Sequence, residues 1–368
     1  MTYLDYSATS PVDRDVLDSF VKACEYFGNP NSMHKLGVDA KNLIDASSIQ
    51  IAKLLGVKKN EIIYTSGASE SNNMVIKAME DYKSRGCKVI TTELEHSSIY
   101  GPLNCLSEKG FEVEFVPLVD GVVDIKALEG MLDETVLVTI SMVNSETGIR
   151  QPIEKIARML KKYPKVFFHV DITQALGKIK FDLKDVDFAS FSAHKFFGIK
   201  GIGGLYKRDG IQIHPLINGG KSTTIYRSGT PATPLIVSMS KALRLSYENM
   251  DDDLKKVKEL NLFLKKKLSK YENVRINSNE YSIDQVLNFS VLGVKPETFM
   301  HSLEQSDVYI STQSACALGD YSKAVLALTG DMDRAKSSLR VSISRKTVKK
   351  DITNFLEAFS KSYEELVK

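Results

Sequence analysis

Cysteine is scarce in this chain of 368 residues: Cys24, Cys87, Cys105 and Cys316 are the only four, and no two share C-x-x-C spacing. That scarcity excludes a disulfide framework and argues against a structural zinc site, so no metal ligands are expected. An excess of one charge is also missing. The 49 basic and 46 acidic residues leave a net charge of +3, too little for a dedicated nucleic-acid or membrane surface. Basic runs such as Lys265–Lys267 read as solvated helix faces. No apolar run approaches the roughly 20 residues needed to span a bilayer. Residues Met1–Tyr6 carry neither the positive nor the apolar segment of a secretory signal. A reducing, cytoplasmic setting is therefore expected. Internal repeats and low-complexity segments are absent as well.

What is present suits about two domains, since a 43% hydrophobic content can bury a sizeable core. Between Glu61 and Tyr206, short β-branched runs alternate with helix-length segments: 62–65, 88–91, 113–116, 136–140, 166–168, 188–191 and 203–206. That alternation predicts an α/β fold, a mostly parallel sheet between helices, over residues 15–248. A long helical stretch over 235–271 leads to a smaller α+β domain at 249–368, with residues 1–14 packing alongside. There the pattern predicts strands near 285–291, 308–310 and 339–343, a helix from Pro296 and a terminal amphipathic helix.

The residues with chemical potential cluster just past the predicted strand ends, where such sheets collect ligands. Lys195 lies in Ser192-Ala193-His194-Lys195, and Asp171 in His169-Val170-Asp171-Ile172-Thr173-Gln174. A lysine amine can form a Schiff base with an aldehyde, and a carboxylate can hold a pyridine nitrogen protonated, the pairing that pyridoxal phosphate chemistry needs. Thr65-Ser66-Gly67-Ala68-Ser69-Glu70 follows a strand and opens a helix, so it could cradle a phosphate or simply cap that helix. His96 suits a ring stacked on a flat cofactor and able to move protons, or an ordinary helix-start histidine. Gln174 could reach a ring hydroxyl, or sit as a helix N-terminal glutamine. Cys316, among Ser314, Ala315 and Ala317 and ahead of Gly319, reads as a nucleophile on an exposed loop. Cys24 and Cys105, by contrast, lie in helical, partly apolar contexts. Arg340 could clamp a carboxylate bidentately or serve as a surface ion-pair residue.

Taken in order, these segments resemble the NifS/IscS-like cysteine desulfurases of the class V aminotransferase group. The match includes Tyr3-Leu4-Asp5-Tyr6-Ser7-Ala8-Thr9, Phe27-Gly28-Asn29-Pro30-Asn31-Ser32-Met33-His34, the segments around Ser69, His96, Asp171 and Lys195, Asn144-Ser145-Glu146-Thr147-Gly148, Arg227-Ser228-Gly229-Thr230, Ser314-Ala315-Cys316 and Leu339-Arg340. The resemblance implies the fold-type I architecture and a pyridoxal phosphate cofactor held covalently by Lys195. Asp171 would face the pyridine nitrogen, His96 would stack on the ring, and Gln174 would meet the ring oxygen. Ala68, Ser69, Ser192 and His194 would hold the phosphate. Thr230 would reach the phosphate in a neighbouring subunit, which implies a homodimer. Arg340 and Asn29 would take the substrate carboxylate.

The implied activity converts L-cysteine to L-alanine, with Lys195 removing the Cα proton and Cys316 receiving the sulfur as a persulfide. That sulfur would pass to an acceptor protein, a tRNA-thiolation enzyme or an iron–sulfur scaffold. The competing implications are another class V enzyme (a selenocysteine lyase or an aminotransferase) and a cofactor-binding sulfur-relay scaffold without turnover. The sequence departs from the family pattern at Ser145, where a second asparagine and a cofactor contact are usual. It also departs after Gly219-Gly220 and after Cys316.

Overall fold

The structure, a computed structural model, describes residues 1–312 and 321–367. Its centre is a seven-stranded sheet in the spatial order Ile62–Thr65, Gly203–Lys207, Phe188–Ser192, Phe167–Asp171, Thr135–Ser141, Lys88–Thr91 and Glu112–Phe115. Strand Gly203–Lys207 runs antiparallel to both of its neighbours, and the other pairs are parallel. The sheet is thus mixed. Every residue of Thr135–Ser141 and of Phe167–Asp171 is buried, as expected for strands covered by helices on both faces. The last strand is an edge, and its Glu112 and Glu114 side chains blunt that edge against further pairing.

The antiparallel strand sets how closely two other elements approach. A Cβ on Gly203 would lie 2.6 Å from the Cα of Gly67 and 2.3 Å from the carbonyl oxygen of Phe191. Only glycine lets the turn after Ile62–Thr65 lie this close to the strand, and that approach brings the start of helix Ala68–Lys77 beside the end of Phe188–Ser192.

The C-terminal part carries a second sheet, Val274–Ile276, Val286–Val291 and Ser338–Ser342, antiparallel throughout. Helices Met250–Leu268, Pro296–Glu304 and Lys349–Leu366 accompany it. Phe289, Phe299, Phe355 and Phe359 form a fully buried aromatic group in its core, each contributing about 1.5–3 kcal/mol through burial of apolar surface. Phe359 packs on Phe299 and Tyr271 with ring centroids 5.0 Å away in each case. Leu4 joins this cluster, and Thr2–Tyr3 pairs in parallel with Val308–Tyr309.

The predicted long helix over 235–271 is two helices, Thr233–Glu248 and Met250–Leu268. Asn249 leaves helical geometry at φ −124°, ψ 30°, and Asp251, Asp252 and Asp253 fill the first turn of the second helix. Three carboxylates suit a new helix N-terminus and would not suit a helix interior. The expected strand at 113–116 is displaced by one residue, and the one at 308–310 is shortened to two. Among the described residues, no helix is long and apolar enough to cross a membrane.

Candidate active site

At the carboxyl ends of the central strands lies a cavity of about 270 Å³. Its walls include Ala68, Ser69, His96, Ser145, Asp171, Gln174, Ser192, His194, Lys195 and Arg340. Ten residues singled out in the sequence are therefore gathered in one place.

The anion-binding corner comes first. Helix Ala68–Lys77 begins immediately after Gly67, and the Ala68 amide donates to Ser192 Oγ at 2.7 Å. The serine hydroxyl is thus fixed at the positive end of the helix, where backbone amides favour an anion. His194 is tied by a 3.1 Å contact between its Nδ1 and Thr9 Oγ1. Burial, helped by Lys195, Lys200 and Lys178, pushes its pKa down to about 4, so the ring is neutral at neutral pH.

Asp171 closes strand Phe167–Asp171 and is buried. Its Oδ1 accepts from the Thr173 amide and its Oδ2 from Asn72 Nδ2, both at 2.9 Å. These two donors fix the orientation of the carboxylate in the cavity wall. Behind it, His169 bridges Thr139 Oγ1 at 2.8 Å and Ser190 Oγ at 2.9 Å, and burial holds its pKa well below the ordinary value.

Lys195 ends the short turn Ala193–Lys195 after strand Phe188–Ser192. Its Nζ donates to the carbonyls of Ser7 and Ala8 at 2.6 and 2.7 Å. Gln174 Nε2 donates to the same Ser7 carbonyl at 2.9 Å, and its Oε1 accepts from Lys178 Nζ at 2.6 Å. Burial, with Lys195 and Arg340 nearby, holds the Lys178 pKa well below that of a free lysine.

Arg340 sits on strand Ser338–Ser342 and is 2% exposed. Its Nη2 pairs with Asp5 Oδ1 at 2.6 Å, and its Nη1 donates to the Ser145 carbonyl at 3.0 Å. The buried Nε has no hydrogen-bond partner among the described residues. The guanidinium belongs to the cavity wall, where its charge favours a carboxylate. Asn144, preceding Ser145, builds the turn by accepting from the Glu146 and Thr147 amides at 3.0 and 2.8 Å.

Two expected residues lie elsewhere. Asn29 is exposed and accepts from the Asn31 amide at 3.0 Å, and Thr230 is exposed too; neither lines the cavity of its own chain. Cys316 falls outside the described residues. Sequence alone did not point to the carbonyls of Ser7 and Ala8, the Asp5 carboxylate or the Asn72 amide. Asp5, Ser7 and Ala8 lie in one of the family-like segments, yet nothing local marks them as partners of residues far along the chain.

The class V aminotransferase family model matches residues 2–355. The chain belongs to the class V aminotransferase family. The cysteine desulfurase IscS of Dictyoglomus turgidum is 35% identical, over 99% of this chain and 95% of that protein. Among solved structures, a NifS-like protein superposes with a TM-score of 0.94 at 34% identity, covering 99% of this chain and 100% of its own. SspA in complex with cysteine superposes with a TM-score of 0.83 at 30% identity, covering 95% and 100%. The mixed sheet with its smaller C-terminal lobe is accordingly the fold-type I arrangement of this family.

Proposed function

We propose that this class V protein is a pyridoxal phosphate-dependent cysteine desulfurase, converting L-cysteine to L-alanine and passing the sulfur to Cys316. The observation that carries the reading is the meeting of Lys195, Asp171 and a helix-start anion cradle with the Arg340 guanidinium in one cavity. The name of the Dictyoglomus turgidum relative and the cysteine complex of SspA support the choice of substrate.

The residues present fit the cofactor. Helix-start amides with Ser69, Ser192 and neutral His194 suit a phosphate. Asp171 suits a protonated pyridine nitrogen, Gln174 a ring oxygen, and Lys195 the aldehyde carbon. When bound there, pyridoxal phosphate supplies an acceptor for the electron pair left at the substrate Cα once its proton is removed. The protein's own groups do the rest. Arg340 draws and orients the substrate carboxylate through its guanidinium charge, its position set beforehand by Asp5 and the Ser145 carbonyl. The Ser7 and Ala8 carbonyls position Lys195 Nζ at the cavity wall, and the amine, in its uncharged form, takes the Cα proton. The Cys316 thiolate attacks the substrate sulfur; the S–S bond forms as the C–S bond breaks, and the carbon that leaves as alanine keeps the electron pair and gains a proton.

Thr230 and Asn29, exposed in the single chain, are assigned to the cavity of a second copy in a homodimer. Exposed apolar side chains near them in sequence, Phe27, Met33 and Ile225 at 80%, 98% and 63%, support that assignment. An acceptor protein for the persulfide and a cytoplasmic setting complete the proposal.

The test is a visible spectrum of the purified protein, followed by L-cysteine addition with alanine and sulfide assayed together. A cofactor band that shifts as alanine appears supports the reading. The Cys316→Ala variant should keep the band and lose sulfur transfer; sulfur transfer that survives the change rules Cys316 out as the acceptor.

A further inference from the structure

Asn72 lies on helix Ala68–Lys77, fully buried behind the cavity wall. Its Nδ2 donates both protons: one to Asp171 Oδ2 and one to Ser98 Oγ, each at 2.9 Å. The amide orientation follows from chemistry, because a carboxylate can only accept and would repel Oδ1 in that place. Ser98 Oγ, accepting from Asn72, keeps its own proton for His96 Nδ1, 2.9 Å away. The Ser98 backbone amide also donates to His96 Nδ1, at 3.1 Å, which makes His96 the cap of helix Ser97–Ser107. An amide N–H can only donate, so Nδ1 must present its lone pair. The neutral ring therefore carries its proton on Nε2.

We propose that Asn72 is a positioning residue that couples the two polar faces of the site, orienting the Asp171 carboxylate and, through Ser98, locking His96 as the Nε2–H tautomer. His96 then acts as a fixed hydrogen-bond donor; to gain a proton it must break the helix cap at Nδ1. The surroundings agree with that picture. Burial, the largest influence, holds the His96 pKa below the ordinary value; Asp171 and Glu146 favour the charged ring, and Lys195 opposes it. Asn72 Oδ1 has no partner among the described residues, so the two donations alone hold the amide in place. The inference deepens the proposed function and rests on it only for the identity of the ring that Asp171 and His96 serve.

The test is nitrogen-15 NMR of histidine side chains in the cofactor-free and the cofactor-loaded protein, with His96 assigned among the six histidines by His96→Gln. The expected spectrum shows an unprotonated Nδ1 and a protonated Nε2 for His96 at neutral pH. Asn72→Ala should weaken pyridoxal phosphate binding about ten- to hundredfold, the usual effect of losing a hydrogen bond to a charged group. Ser98→Ala, at a half-exposed position, should raise the pH at which His96 titrates while the protein stays folded. A protonated Nδ1 in the unaltered protein overturns the proposal. So does a Ser98→Ala protein whose His96 shifts follow the same pH curve, whether or not Asn72→Ala folds. The cofactor-free spectra keep this test separate from the desulfurase assignment, which they do not probe.

Discussion

The two walls of the cavity are built in different ways. The sheet wall, holding Asp171, His96, Ser192 and Lys195, grows from strand ends and the helices or turns after them. The terminal wall joins Ser7 and Ala8 to Arg340, whose ion-pair partner Asp5 stands 335 positions away in the chain. In the first, each side chain stands at or just past the end of a strand, and its polar partners come from the helix starts and turns there, except for Lys195, which reaches the Ser7 and Ala8 carbonyls. In the second, the first residues of the chain are clamped between the large sheet and the C-terminal lobe, pairing with Val308–Tyr309 on one side and capping Lys195 on the other. The sheet wall is thus suited to hold a resident group, and the terminal wall to seat an exchanging substrate.

The largest expected effect tests the sheet wall. Lys195→Ala removes the amine that would move the Cα proton, and alanine formation from L-cysteine should fall about 10³-fold or more. If the fall is less than tenfold, the sheet wall does not supply the base. On the terminal wall, Arg340→Ala should lower kcat/KM about ten- to hundredfold, chiefly through KM, by removing a charged hydrogen-bond donor. It also leaves Asp5 without its partner, so thermal stability should drop in parallel. Asp5→Asn keeps the shape and loses only the charge. A roughly two- to tenfold rise in KM is expected, and an unchanged KM would show that the ion pair does not set the Arg340 position. The smallest effect concerns stability alone. Buried His169 and His194 bind protons less readily in the folded chain than the ordinary value near 6.5 for an unfolded one. The unfolded state then holds more protons between pH 6.5 and about 4, so this stabilisation is complete above 6.5 and fades as pH falls through that window. Buried Glu95, whose pKa burial raises to about 7, opposes this trend. A melting temperature that drops on acidification, with a smaller drop in His169→Gln, is the expected result.

The sheet wall was legible in the sequence because a strand end is a local event. A largely apolar run that stops at Asp171 or Ser192 places the next polar residues at the sheet's edge, whatever the rest of the chain does. The terminal wall was legible only in part. Arg340 suggested a carboxylate clamp, but the same residue type serves equally well as an ion-pair partner, and in the folded chain it does so with Asp5. Asn72 shows the same limit. Its helix was expected, yet which residue of that helix would meet Asp171 depended on how closely Gly203 let the helix approach. The helix break at Asn249 could have been seen, since Asp251–Asp253 is a helix-start signal.

By itself, the sequence determined the alternation of buried strands and helices, the strand-end positions of Lys195, Asp171 and His96, and the family they belong to. Hydrophobic periodicity and turn chemistry act over a few residues, and such information survives in one dimension. Tertiary structure alone decided that Ser7 and Ala8 would hold the Lys195 amine, that Asp5 would hold Arg340, and that Asn72 would tie Asp171 to His96. Each of these is a contact between groups far apart in the chain, fixed by packing geometry rather than by local preference.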